Sequence, residues 1–124
     1  MSFRDFMYAY IECALWSSTD DSGEPMDQNY SPGDIHPDSL RDIEAVCRDF
    51  YDAWSDLWQG AHRNTQWSGD QLAGHDFWLT RNGHGTGFWD GDWGYIGDDL
   101  TSACQPYGSA DIYIGADGML HGGA

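Results

Sequence analysis

The chain has 124 residues, 21 of them acidic and 5 basic, for a formal net charge of −16. That length suits one domain spanning residues 1–124. The charge excludes direct binding of DNA, RNA or an anionic membrane at low salt, and it favours a basic protein surface as partner. All five basic residues are Arg, and 18 of the acids are Asp. Seven Trp, seven Tyr and five Phe supply enough bulk for a core without disulfides. Cys13, Cys47 and Cys104 form no C-x-x-C pair, which argues against a disulfide framework or a zinc ribbon; those on predicted helices are expected to be small core residues.

Residues 3–17 read as a helix, with Phe3, Phe6, Met7, Tyr10, Cys13, Ala14 and Trp16 near helical spacing. Arg4 and Asp5 break any secretory signal pattern, and no stretch reaches transmembrane length, so a reducing cytoplasm is expected. Residues 17–36 form a polar connection. Residues 37–59 give the clearest helix: Pro37 and Asp38 suit its first turn, Gly60 its end, and Leu40, Ile43, Cys47, Phe50, Trp54 and Leu57 make one apolar stripe. A second polar connection covers 61–75. Residues 75–90 then predict a β-hairpin turning at Asn82-Gly83, with Leu79 facing Phe88 and Trp78 facing Trp89. A loop at 91–95, a short helix at 96–105, a strand at 111–114, a turn at 116–118 and a return strand at 119–121 complete the chain. The order ααββαββ predicts an α+β fold, with a small, mainly antiparallel sheet and helices packed on one face.

The long helix carries the first candidate site. Asp38, Asp42, Asp49, Asp52 and Asp56 recur at steps of three, four and seven residues. Residues four apart rise about 6 Å along a helix, close to the separation of neighbouring phosphates on a nucleic-acid strand. Such a stripe suits a basic groove meant for DNA; the alternative is a plain solvated face. Trp78 and Trp89 are candidate anchors if the hairpin exposes one aromatic face. A second cluster, His75, Asp76, Arg81, His84 and Asp90, combines a general base, an orienting carboxylate and an anion holder. A structural role is favoured for it, with Arg81 paired to Asp76 or Asp90 and His84 at a loop tip. Asp90-Gly-Asp92 with Asp98-Asp99 lacks a calcium-loop frame, and His36, His62, His75, His84 and His121 show no H-x-x-x-H pair, so no metal is expected. No nucleophile signature or phosphate loop is present, and no catalytic residue or cofactor is assigned.

The block Ala73-Gly-His-Asp-Phe-Trp-Leu-Thr-Arg-Asn-Gly-His-Gly-Thr-Gly-Phe-Trp-Asp90 resembles one found in small acidic phage-encoded proteins. The stretches 14–27 and 107–115 are similar to further parts of them. The resemblance implies a phage origin and action in the cytoplasm of a bacterial host, and it implies no catalytic role. The expected function is therefore an anti-defence inhibitor of DNA-mimic type. It would block the basic groove of a host protein that handles nucleic acid, such as a CRISPR effector, a restriction enzyme or a repair protein. The alternatives are a small enzyme using the His/Asp/Arg cluster, and a structural or regulatory phage protein acidic only for solubility. Self-association as a homodimer stays open.

Overall fold

The computed structural model describes residues 2–59, 68–83, 86–89 and 93–124. The first helix, α1 (Phe3–Ser17), starts where the Ser2 hydroxyl accepts a hydrogen bond from the Asp5 amide. The connection after it is stapled by Asp20, whose carboxylate accepts from Ser22, Glu24 and Asn29. Two short 3-10 turns follow, Met26–Gln28 and Pro32–Asp34. The second helix, α2 (Pro37–Gln59), buries Ile43, Cys47, Phe50 and Trp58 along one side.

The third element overturns the predicted α+β fold. Residues 69–81 form a helix, α3 (Gly69–Arg81), where a polar connection over 61–75 and then the first strand of the 75–90 hairpin were expected, so Trp78 and Leu79 are helical rather than strand residues. Ser68 and Gln71 make a reciprocal capping box at its start. Ala73, Phe77 and Arg81 recur every four residues on its buried side. Asn82-Gly83 ends this helix instead of turning a hairpin: the Asn82 side chain donates back to the Trp78 carbonyl, and Gly83 takes φ +66°, a left-handed conformation that glycine adopts without strain. Residues 86–89 are a bend, held by the Phe88 amide donating to Thr80 Oγ1 at 3.0 Å. His84 and Asp90 lie outside the described residues.

A 3-10 turn at Gly94–Ile96 leads into α4 (Gly97–Cys104), and another follows at Gln105–Tyr107. Strands β1 (Ile112–Ile114) and β2 (Leu120–Gly122) pair antiparallel, with Tyr113 opposite His121. Among the described residues the fold is thus mainly helical, with the order α1-α2-α3-α4-β1-β2 and one two-stranded sheet. No described helix is long and apolar enough to cross a membrane.

The core is a stack of aromatic rings. Phe50 lies on Phe77 with centroids 4.1 Å apart, and Phe6 lies on Trp58 at 5.5 Å. Phe88 and Trp93 extend the cluster toward α4, and Tyr107 meets Phe50 and Phe77 edge-on. Helices α1 and α3 approach closely at Gly74, where an added Cβ would stand 2.2 Å from the Phe6 carbonyl oxygen and 3.0 Å from the Ala9 methyl. In an open helix, Gly→Ala gains roughly 1 kcal/mol. Here the sign reverses: Gly74→Ala forces the two helices apart and is expected to cost about 1–3 kcal/mol in urea unfolding. A stabilised variant would contradict this packing.

Candidate functional site

The acidic face of α2 forms as its spacing requires. At 100° per residue, Asp38, Asp42, Asp49, Asp52 and Asp56 fall within an arc of about 80° and extend over about 27 Å. All five are exposed. Arg41 and Arg48 lie along one margin of the arc only. Arg41 pairs with Asp38. Arg48 reaches Asp52 at 4.0 Å and also covers the Phe3 ring, with its guanidinium carbon 3.6 Å from the centroid. Asp49 accepts a 2.6 Å bond from the Tyr107 hydroxyl, which anchors the middle of the stripe to the turn after α4. Burial and the Asp49 carboxylate both push the Tyr107 phenol above its ordinary range.

Two features make the stripe costly for the folded chain. Asp38 with Asp42, Asp49 with Asp52, and Asp52 with Asp56 stand three or four residues apart, where like charges repel on a helix. Asp56 also occupies the negative end of the helix dipole, and the last turn of α2 holds no basic residue.

The two candidate anchors separate. Trp78 is buried, and its indole N–H donates to Ser17 Oγ at 2.8 Å, so it belongs to the core. Trp89 is 43% exposed and covers Gly87. The larger exposed indole is Trp16, at 61%, at the end of α1. The spacing groups it with the apolar residues of α1, but the helix turns it outward to solvent.

The His/Asp/Arg cluster is dispersed by α3. Asp76 points inward and accepts from the Trp93 indole N–H at 2.6 Å. Arg81 was expected to meet Asp76 or Asp90. Asp90 lies outside the described residues; among those described, the guanidinium donates to the Tyr10 hydroxyl at 2.7 Å and to main-chain oxygens of Tyr107, Gly108 and Ala124. His75 is half-buried on the outer side of α3, and burial lowers its pKa, favouring the neutral imidazole. The arrangement thus supplies core bonds where an active site would need groups converging on open space.

Two further polar clusters escaped the sequence reading. Asp70 is fully buried near the start of α3 and accepts from the Trp58 indole N–H at 2.9 Å and the Gln59 amide at 2.7 Å. A buried indole needs such an acceptor, but its identity depends on the fold. At the hairpin, His121 Nε2 meets both Asp117 oxygens at 2.9 and 3.1 Å, and its ring stacks on His36 at 5.0 Å. The bond from His121 holds Asp117 below its ordinary pKa. Asp-x-x-x-His across the 116–118 turn was the available signal. The pair staples the turn and joins β2 to the start of α2.

No group of three or more potential ligands suited to a metal ion occurs among the described residues. Comparison with family models, curated proteins and solved structures gives no match for this chain.

All three cysteines are buried free thiols. Burial pushes Cys13 and Cys104 up to about 12 and raises Cys47 as well, so each stays protonated and unreactive at neutral pH. Ellman's reagent should therefore label none of the three in the folded protein and all three after denaturation. Rapid labelling of one thiol in the native state would mark a reactive group and revive a nucleophilic mechanism.

Proposed function

We propose that this protein is a non-enzymatic inhibitor of phage origin that acts in the bacterial host cell. In this reading the acidic face of α2 occupies the basic groove of a host protein that handles nucleic acid. The observation that carries it is the row of five exposed Asp side chains on one helix face, offset among the described residues only in part, by Arg41 and Arg48. The row matches a phosphate strand in sign and roughly in spacing, and it is held on a packed scaffold, so little ordering cost falls on binding. Its cost to the free protein also favours a binding role over a purely solubilising one, for which dispersed charge would serve. Trp89 remains a candidate anchor, whereas Trp78 has no surface to offer. The enzymatic alternative is weakened because Asp76 and Arg81 are engaged in the core.

The test separates electrostatic recognition from solubility. A partner is first captured from nuclease-treated bacterial lysate at low salt, and its affinity is then measured against salt. The variant Asp42→Asn, Asp52→Asn, Asp56→Asn spares Asp49, which holds Tyr107. It should lose about 100-fold in affinity at low salt, equivalent to about 2.7 kcal/mol, and show a flatter salt dependence. With three like-charge contacts relieved, the free variant should be more stable than the parent by roughly 0.5–1 kcal/mol at low salt. Unchanged affinity and salt dependence would overturn the proposal and leave solubility as the role of the stripe.

A further inference from the structure

A second surface lies away from α2. The end of α1, the outer side of α3 and the connection between α1 and α2 enclose a cleft of about 560 Å³, within the range of roughly 300–1,000 Å³ common for binding sites. Leu15 and Leu79 form its floor, and Trp16, Tyr30 and Pro32 form apolar walls. Glu12 and Asp27, both exposed, stand on its rim. On α1, Glu12 and Trp16 sit ~130° around the axis from Phe3 and Phe6, which pack against Tyr51 and Phe50 of α2. The cleft and the acidic stripe are therefore separate faces.

Its chemistry selects for charge. None of the described residues lining it is Arg or Lys. His75, also in the lining, is kept toward its neutral form by burial. Two carboxylates thus face an apolar slot whose most exposed wall is an indole. An acidic or neutral polar segment gains nothing there. A side chain with an apolar stem and a cationic end meets every surface: the stem on Leu15, Leu79 and Tyr30, and the cation against the Trp16 face and the two carboxylates.

We propose that this cleft docks a short basic segment of a partner protein, with an Arg or Lys side chain laid along Trp16 between Glu12 and Asp27. The site is independent of the α2 reading: a protein engaged here need not place its basic groove on the stripe. Where one partner uses both faces, the two contacts act as linked sites and reinforce each other.

The test is an NMR titration of the full-length ¹⁵N-labelled protein. One probe is the peptide acetyl-Leu-Arg-Leu-Arg-amide; the other is its counterpart with Glu in place of Arg. The basic peptide should shift Leu15, the Trp16 indole, Tyr30, His75 and Leu79 saturably, and the acidic peptide should not. Trp16→Ala, and separately Glu12→Gln with Asp27→Asn, should each weaken binding roughly tenfold, or about 1.4 kcal/mol. These side chains are exposed, so the spectra should keep the parent's dispersion. The α2 triple variant should leave the titration unchanged, which separates failure here from failure of the stripe. Absence of saturable shifts, shifts confined to α2, equal shifts with the acidic peptide, or undiminished binding by Trp16→Ala would each overturn the proposal.

Discussion

Arg81 is a buried cation held by oxygen dipoles, and the arrangement of the other elements depends on it. Its guanidinium joins Tyr10 of α1, the Tyr107 and Gly108 carbonyls after α4, and the Ala124 main-chain oxygen beyond β2. Tyr10 relays the contact by donating to the Gly123 carbonyl at 2.6 Å. A buried charge is tolerable only when its hydrogen-bonding capacity is filled. The planar fork of Arg fills several directions at once, which the compact ammonium of Lys cannot do. Burial raises the Tyr10 phenol above its ordinary range, partly opposed by Arg81, so the hydroxyl remains able to donate. The position at the last turn of α3 adds a favourable helix-dipole contact.

This use of Arg81 bears on the surface as well. One of only five basic residues is withdrawn into the interior. Arg48 is partly drawn onto Phe3, and Arg41 is engaged by Asp38. Among the described residues, the acids of α2 are neutralised by Arg41 and Arg48 along one margin only. The inside of the protein thus shapes its outside: the scaffold consumes cations, and the stripe stays strongly negative. The same packing turns Trp78 inward and leaves Trp16 outward beside Glu12, dividing the surface into a charged ridge and an apolar cleft with an acidic rim.

Local rules made some of this legible. The start of α2 follows from Pro37, and its course from the three- and four-residue spacing of its apolar residues; Gly60, the expected stop, lies outside the described residues. The stripe follows from the same periodicity and needs no tertiary knowledge. The C-terminal strand pair was visible from Ile112-Tyr113-Ile114 and the turn before Met119, one residue out of place. Helix α3 was misread because Phe77-Trp78-Leu79 is buried on all sides, and a short fully buried apolar run looks the same in either structure. Asn-Gly reinforced the error, since it closes hairpins and ends helices alike. Ser68-x-x-Gln71 was the countersignal. The roles of Arg81, Asp70 and Asp76 were not legible, because their partners are set by how the helices meet. Arg81 and Tyr10, for instance, are 71 residues apart.

The most direct measurement is hydrogen exchange of the Arg81 side-chain Nε–H in ¹⁵N-labelled protein, read together with Cα chemical shifts over residues 69–81. The result expected is a slowly exchanging Nε–H with contacts to Gly108, near the Tyr10 ring, on a segment with helical shifts throughout. A rapidly exchanging Nε–H, or strand-type shifts over 75–81, would contradict the buried node and the helical fold built around it.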